Sequence, residues 1–389
     1  MVKSFDFSPF CCIIVNMDRI QTSAILKDLS KKIVILVGPR QSGKTWLAKE
    51  VAKFFPNSVY LNYDQTQDQE IMRAQSWLNT TDLLILDELH KMPNWKNYLK
   101  GIFDTKPVNL RILVTGSARL DLYEQLGDSL VGRYFRHRLL PFSLAELRQI
   151  SVPFDIEKLL LRSGFPEPYL TTDPIDADRW RLQYINSVLS TDVFEIDQLH
   201  NLKSMQLLFK LLRNRVGSPI SLQSLAEDLA ISPTTVKKYI QILEALFIVF
   251  RVTPYSTNIV RSLLKEPKLY FFDVGLVQGD YGAKLENLVA ISLLKHVYAK
   301  EDYQAEQYAL HYLRTKEAYE VDFAIIKDNN VEQIIEVKTS DPSPSKGLLY
   351  FNNKYKYPAV QLVENLRNDH QQKEIKILNL EKFLADLYM

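Results

Sequence analysis

The sequence lacks several features that would assign it to a special class of protein. Its only two cysteines, Cys11 and Cys12, are adjacent, which excludes a disulfide framework and a cysteine-based metal site. The 48 basic and 46 acidic residues leave a formal net charge of +2, so a surface that binds nucleic acid must be a local feature. No apolar run is long enough to span a bilayer, and no internal repeat is present. These absences favour a cytoplasmic protein without a membrane partner.

The length and the hydrophobic content indicate more than one folded domain. The chain of 389 residues, 46% of them hydrophobic, is long enough for two or three domains with separate cores. We interpret residues 1–16 as a disordered leader, because Met17 opens an amphipathic helical pattern and is an alternative translation start. A signal peptide is the other interpretation of this short apolar run. The motifs of the remaining chain divide it into residues 17–150, 151–272 and 273–389.

The clearest motif is GPRQSGKT at residues 38–45, between an apolar strand pattern at 32–37 and a helical pattern. It matches the phosphate-binding pattern G-x-x-x-x-G-K-[ST] without a mismatch. In such a loop, main-chain amides and the positive end of the following helix bind an anion. The predicted nucleotide-binding residues are Gly38, Pro39, Arg40, Gln41, Ser42, Gly43, Lys44 and Thr45. An ordinary glycine-containing turn is the alternative.

Two of these residues are expected to act with an acidic pair further along the chain. Lys44 would contact the β- and γ-phosphates, and the Thr45 hydroxyl would ligate Mg²⁺. An apolar strand pattern at 83–86 ends in Asp87 and Glu88. Asp87 would hold the same Mg²⁺, and Glu88 would orient or deprotonate the attacking water. Two solvated acids at the end of a strand are the alternative.

Three more polar residues are candidates for this site. Thr115 and Ser117 end a third strand pattern, where small hydroxyls contact the γ-phosphate or the attacking water. Arg133 precedes a basic strand pattern. We expect Arg133 to stabilise the charge of phosphoryl transfer or to contact a neighbouring subunit of a homo-oligomer. A surface arginine without a functional role is the alternative.

Four segments together carry a resemblance to a known family. GPRQSGKT, LLILDELHKMPNW, ILVTGSARL and SLVGRYFRHRLLPFSLAEL resemble the prokaryotic AAA+-type ATPases whose C-terminal half is a domain of unknown function. The resemblance covers nearly the whole chain from about residue 17. It implies an ASCE-type P-loop domain with a parallel sheet, ATP and Mg²⁺ as ligands, and Asp87 and Glu88 as the second acidic motif. It does not indicate a biological role.

Residues 218–252 show the pattern of two helices separated by a tight turn. The apolar residues that line one face of each helix are Leu222, Leu225, Ala226 and Leu229, then Val236, Ile240, Leu243 and Leu246. Ser232 and Pro233 suit the start of the second helix. In a DNA-binding winged helix, residues 247–258 would form the wing. The residues that would enter the major groove are Thr234, Thr235, Lys237 and Lys238. Two lysines make few phosphate contacts, so a lid or a protein contact is the alternative.

The last third of the chain contains a second pattern of charged residues. Glu286 lies near the start of an amphipathic helix, Asp322 lies in a strand pattern, and Glu336 and Lys338 share one face of the next strand. This layout is that of a PD-(D/E)xK nuclease, with Val321 in place of the proline. Glu286, Asp322 and Glu336 would hold a second Mg²⁺, and Glu336 and Lys338 would act in catalysis. Cross-strand ion pairs or an inactive binding scaffold are the alternatives.

Together, these motifs predict an α/β protein that binds and hydrolyses ATP with Mg²⁺. The expected order is a P-loop parallel-sheet domain, a winged-helix segment and a restriction-endonuclease-like α/β domain, with DNA recognised by the C-terminal half. The alternative is a nucleotide-gated switch whose nuclease-like domain is inactive and contacts a protein partner.

Overall fold

The structure is a computed structural model that describes residues 19–116, 130–193, 202–256 and 266–389. The predicted leader and Ser117 lie outside the described residues. By compactness the chain divides into one unit that ends at Leu140 and a second that begins at Pro141. The finer division of the second unit into two domains stays a prediction.

The first unit is a five-stranded sheet with helices on both faces. Its helices are α1 Gln21–Leu29, α2 Lys44–Ala52, α3 Thr66–Ala74 and α4 Trp95–Thr105, with a 3-10 turn at Leu89–Lys91. Its strands are β1 Ile33–Val37, β2 Ser58–Asn62, β3 Leu83–Asp87, β4 Arg111–Thr115 and β5 Tyr134–Arg138. The strand order is β2-β3-β4-β1-β5, and each of these neighbouring pairs is parallel.

The sheet of the first unit separates two hydrophobic cores. Side chains of a strand alternate between the faces, so Ile35 and Val37 pack with α3 and α4. Val34 and Leu36 pack with α1 and α2 on the opposite face. Both faces are therefore covered, as is usual for a parallel sheet. Because the strands are parallel, the segments that follow β1, β3 and β4 lie at the same edge.

The second unit begins with helices and continues as a large mixed sheet. Its helices are α5 Leu144–Gln149, α6 Ile156–Arg162, α7 Pro166–Leu170, α8 Pro174–Ser187, α9 Leu202–Arg213, α10 Leu222–Leu229, α11 Pro233–Ala245, α12 Tyr281–Gln304, α13 Lys346–Tyr355 and α14 Leu380–Ala385. A π-helical turn, Val188–Asp192, follows α8, and a 3-10 turn, Val274–Leu276, precedes α12. Its strands are β6 Val249–Pro254, β7 Lys268–Phe271, β8 Tyr308–Arg314, β9 Glu320–Lys327, β10 Asn330–Lys338, β11 Ala359–Val363, β12 His370–Gln372 and β13 Ile375–Asn379.

The tight turn between α10 and α11 has a local cause. Ala230 ends α10 in the left-handed conformation, with φ 51°. The Ser232 hydroxyl accepts a hydrogen bond from the Thr235 amide over 3.1 Å, and Pro233 occupies the first turn of α11. The inward faces of both helices are buried, although Leu222 itself is only half-buried.

The strands of the second unit form one sheet in the order β12-β13-β11-β10-β9-β8-β6-β7. The antiparallel pair β6 and β7, which falls in the predicted wing and the segment after it, belongs to this sheet because β6 pairs in parallel with β8. The sheet therefore connects the segment after α11 directly to the strands that carry Asp322 and Glu336. None of the helices in the described ranges has both the length and the apolar character needed to cross a bilayer.

Candidate functional site

The loop between β1 and α2 requires glycine at both ends. Gly38 has a φ of 152°, and a Cβ atom there would lie 2.2 Å from the Leu139 carbonyl oxygen. Gly43 has a φ of 95° and forms the N-cap of α2. Glycine adopts these conformations without the steric cost that other residues bear. The two glycines of the sequence motif therefore shape the loop and direct the start of α2 into it.

Lys44 lies folded against the loop from which it arises. Its ammonium group donates hydrogen bonds to the carbonyl oxygens of Gly38, over 2.9 Å, and Pro39, over 2.6 Å. The residue is only 7% exposed. Burial lowers the pKa of Lys44 to about 8, although the nearby charges of Glu88 and Asp87 act in the opposite direction. Phosphate oxygens would offer this cation stronger acceptors than the two carbonyl groups.

Asp87 is the acceptor on which the site converges. Its carboxylate accepts hydrogen bonds from the Thr45 hydroxyl over 3.0 Å, from the Tyr60 hydroxyl over 2.5 Å and from the Glu88 amide over 3.1 Å. The Thr115 hydroxyl also donates to it. Asp87 is 3% exposed, so these donors replace water. The structure thus brings Thr45, Asp87 and Thr115 together, as the sequence predicts, and adds Tyr60.

Sequence reasoning missed Tyr60 because nothing in its neighbourhood marks it. It lies on β2, and the parallel pairing of β2 with β3 sets Tyr60 opposite Ile85. Burial and the hydrogen bond to Asp87 raise the pKa of Tyr60, so the phenol stays protonated and acts as a donor. Tyr60 could be identified as part of the site only once the order of the strands is known.

Glu88 follows Asp87 with a positive φ of 54°, which turns the chain sharply after β3. Its carboxylate lies 3.5 Å from Nε2 of His90 and 4.0 Å from the Lys91 ammonium. Burial raises the pKa of Glu88, while Lys44 and Lys91 act to lower it. A carboxylate whose pKa is raised toward neutrality is a better general base than an exposed one.

Arg133 does not join this site within the chain. Its backbone carbonyl accepts a hydrogen bond from the amide of Ile33, at the amino end of β1. The loop lies at the other end of that strand. The Arg133 guanidinium binds the Asp104 carboxylate through two hydrogen bonds of 2.9 and 3.3 Å. The expectation that Arg133 acts on the nucleotide of its own chain is therefore not supported by its position.

The residues of the loop fit a nucleotide phosphate with Mg²⁺. The oxygens of Thr45 and Asp87 are hard ligands of the kind that Mg²⁺ prefers. Because they lie 3.0 Å apart, both could contact the same ion. The Ser42 hydroxyl is fully buried and has no hydrogen-bond partner among the described residues. Such an atom normally has a partner, so a ligand in the loop would satisfy it.

The second charged cluster lies in the second unit and includes all four predicted residues. The register of β9 and β10 pairs Phe323 with Ile335, which sets Asp322 beside Glu336. The Lys338 ammonium donates to Glu336 over 2.8 Å, and the Val337 amide donates to Asp322 over 3.0 Å. Burial, together with the charge of Asp322, raises the pKa of both Glu336 and Glu286 to about 7.

Lys268, Tyr270 and Glu320 also belong to this cluster and were not predicted. The Lys268 ammonium lies 2.9 Å from Glu320, 3.3 Å from Asp322 and 3.4 Å from Glu286. Tyr270 donates to Glu286 over 2.7 Å. Across the described ranges, no group of three or more Asp, Glu, His and Cys side chains is arranged to hold a metal ion. A lysine ammonium thus lies among the residues of the predicted second Mg²⁺ site, which stays a prediction.

The residues expected to contact DNA lie on the outer face of α11. Thr234, Lys237 and Lys238 are exposed, and Thr235 is half-buried with its hydroxyl 2.8 Å from that of Ser232. The inward face of the same helix holds buried apolar residues. The helix therefore presents two hydroxyls and two ammonium groups near its amino end.

Comparisons with known proteins assign the first unit more clearly than the second. Residues 30–148 match the family model of an AAA domain. Residues 153–284 and 281–383 match two families described as domains of unknown function, DUF8612 and DUF4143. The three matches follow each other along the chain, and the first contains both the loop and the acidic pair.

Relatives extend over most of the chain. An uncharacterized protein of Mycobacterium tuberculosis is 28% identical over 327 residues, covering 81% of this chain and 72% of that protein. One of Methanocaldococcus jannaschii is 25% identical over 370 residues, covering 79% and 75%. Among solved structures, a Walker-type ATPase of Pyrococcus abyssi shares 14% identity at a TM-score of 0.45, covering 67% of this chain and 94% of that one. The Thermotoga maritima RuvB Holliday junction branch migration motor shares 20% at a TM-score of 0.32, covering 60% and 87%. The family match and the parallel sheet together support an AAA-type P-loop ATPase domain in residues 30–148.

Proposed function

We propose that the first unit binds MgATP in the loop between β1 and α2 and hydrolyses it. One observation carries the proposal: the Thr45 hydroxyl and the Asp87 carboxylate lie 3.0 Å apart. They come from the helix after the loop and from the end of β3, and Lys44 is in the same loop. This is the set of residues that a triphosphate with a divalent ion requires.

Each residue has a distinct task in this proposal. The loop amides and the Lys44 ammonium bind the phosphate oxygens, and Thr45 and Asp87 hold the metal. When bound, Mg²⁺ neutralises charge on the β- and γ-phosphates. Glu88 accepts the proton of the attacking water, and its raised pKa suits that task. Thr115 donates to Asp87 and so keeps the metal-binding carboxylate in place.

We further propose that the nucleotide state controls the affinity of the second unit for DNA. The support is the outer face of α11, where Lys237 and Lys238 are exposed beside Thr234 near the start of the helix. Lysine ammonium groups and helix amides bind phosphate, and side chains in this position read the major groove of duplex DNA.

A switch that binds a protein partner is the second candidate. In that case the nuclease-like domain is inactive, and the nucleotide gates the protein contact. The observation that favours it is the Lys268 ammonium, which lies among Glu286, Glu320 and Asp322. Both candidates share the nucleotide site and differ in the ligand of the second unit.

The test is ATP hydrolysis by the full chain with no DNA and with single-stranded, duplex or branched DNA, at two salt concentrations. DNA should stimulate turnover, and the stimulation should fade at high salt because phosphate contacts release counterions. A response that is flat across all DNA forms favours the protein-binding switch.

Lys44→Ala should weaken ATP binding by roughly 10- to 100-fold, because it removes a charge-assisted contact. Unchanged ATP affinity in that variant would overturn the assignment of the loop. The matched control is Lys53→Ala. Lys53 is an exposed lysine that directly follows α2.

A further inference from the structure

Lys268 is a buried lysine surrounded by acids. It is the first residue of β7, and only 1% of it is exposed. Its ammonium group contacts carboxylate oxygens of Glu320, Asp322 and Glu286 at 2.9, 3.3 and 3.4 Å. The Tyr312 ring lies 5.5 Å from it and adds a further favourable contact for a cation. One buried positive charge is thus shared by three half-buried carboxylates.

The carboxylates of Glu286 and Asp322, which face this ammonium, also accept hydrogen bonds from other donors. The Oε1 atom of Glu286 accepts from both Lys268 and the Tyr270 hydroxyl. One oxygen of Asp322 faces Lys268, and the other accepts the Val337 amide. The one carboxylate oxygen of the predicted ligand set that is buried without a partner among the described residues is Oε2 of Glu336.

We propose that Lys268 takes the place of a divalent cation in this cluster, so the C-terminal site does not bind Mg²⁺ and does not cleave phosphodiesters. Mg²⁺ needs near-octahedral oxygen ligands at roughly 2.1 Å. Glu286 and Asp322 are two of the three predicted ligands, and both contact a resident ammonium that repels a second cation. The remaining ligand, Glu336, is paired with Lys338. The inference is independent of the nucleotide site of the first unit.

The position of Lys268 follows from the topology of the sheet. β7 pairs with β6, β6 pairs with β8, and β8 pairs with β9, the strand that carries Glu320 and Asp322. Lys268 therefore reaches the acids from a strand outside the nuclease-like sequence motif. Without its ammonium group, three half-buried carboxylates would repel one another, and a divalent cation would be the natural replacement.

The first experiment titrates Mn²⁺, an ion with similar oxygen preference, into the nucleotide-free full chain by calorimetry. Wild type and Asp322→Asn should give the same isotherm, because the Asp322 cluster holds no metal in either. A Mn²⁺ site that is present in wild type and lost in Asp322→Asn would overturn the proposal.

The second experiment removes the ammonium and keeps most of the length of the side chain. In the presence of a chelator, Lys268→Met should lower the Tm by roughly 10 °C, because it leaves three half-buried carboxylates without their counter-charge. Mn²⁺ should restore most of that loss and bind with one additional site per chain. Adding Asp322→Asn to Lys268→Met should abolish both the added site and the rescue.

The matched control is Lys295→Met. Lys295 is a second buried lysine of the same unit, whose ammonium contacts the Glu146 carboxylate and the Pro141 carbonyl oxygen. This variant should lose stability without rescue by Mn²⁺. A folded Lys268→Met protein that Mn²⁺ neither binds nor stabilises would contradict the proposal. If Lys268→Met does not fold, the wild-type titration decides.

Discussion

The Thr45 hydroxyl donates a hydrogen bond to the Asp87 carboxylate over 3.0 Å, although 42 positions separate the two residues in the chain. Thr45 lies in the first turn of α2 and Asp87 at the end of β3, and β4 lies between β1 and β3 in the sheet. The two meet because parallel strands deliver their following segments to one edge. The pair that we propose to hold the metal is thus brought together by the strand order of the sheet.

Alanine substitutions of two glycines of the first unit, one in the loop and one in α4, should change its stability in opposite directions. Gly38→Ala should destabilise the first unit by roughly 2 kcal/mol or more, because its Cβ would lie 2.2 Å from a carbonyl oxygen and its φ of 152° strains other residues. Gly101→Ala should stabilise it by about 0.5–1 kcal/mol, since Gly101 lies within α4 with nothing within 4 Å of the added atom. Urea denaturation measures both. If Gly38→Ala did not lower the free energy of unfolding, the loop would have to relax around the new side chain.

The lowered pKa of Lys44 should make the stability of the first unit depend on pH. Burial lowers its pKa to about 8 in the folded nucleotide-free chain, from an ordinary 10.5. Between these values the unfolded chain holds the proton and the folded chain has released it, so the free energy of unfolding rises with pH in this window. Relative to Lys44→Met, wild type should gain about 1 kcal/mol between pH 7 and pH 9.

Tryptophan fluorescence in urea suits this measurement, because Trp46, Trp77 and Trp95 lie in the first unit and Trp180 alone lies in the second. The difference between wild type and Lys44→Met is the relevant quantity, since other titrating groups cancel in it. A difference that stays constant from pH 7 to pH 9 would show that Lys44 keeps its charge when folded.

Glu88→Gln should separate binding from turnover. We expect ATP affinity to change by less than about threefold, because Glu88 does not belong to the phosphate-binding loop, and kcat to fall by roughly 10²–10³ because the general base is lost. Fluorescent-nucleotide binding and phosphate release measure the two quantities. Glu50→Gln is the control, as Glu50 lies on α2 and pairs with Lys53. Weakened ATP binding with unchanged turnover of bound ATP would assign Glu88 to binding instead.

The outer face of α11 predicts a defined loss of salt dependence. Replacing both Lys237 and Lys238 by alanine should weaken duplex DNA binding and reduce the slope of log K against log salt by roughly 2, about one for each lost phosphate contact. Fluorescence anisotropy over a salt series measures this slope. The matched control replaces Lys203 and Lys210, two exposed lysines of α9. The same loss in both double variants would indicate unspecific attraction rather than docking of α11.

The local features of the chain were predictable from its sequence. The strand, loop and helix around GPRQSGKT, the acidic end of β3 and the start of α11 at Ser232 all lie where the patterns placed them. Each depends on residues within a few positions of one another. Apolar periodicity, glycine at positive φ and a capping hydroxyl act at that range, so they can be identified without knowledge of the fold.

The partners of the charged groups were not predictable in the same way. Tyr60 reaches Asp87 because β2 pairs with β3, and Arg133 lies far from the loop because it precedes a strand that runs parallel to β1. Lys268 meets the acids because β6 pairs with β8. Each position follows from strand order, which arises from packing over the whole unit.

The sequence by itself therefore determined the glycine-shaped loop before α2 and the acidic end of β3, because residues within a few positions of one another decide such local features. The tertiary structure alone decided which charges neutralise each other. Coulomb interactions act across space between strands distant in the chain, and so Glu286 and Asp322 have the Lys268 ammonium as a shared partner.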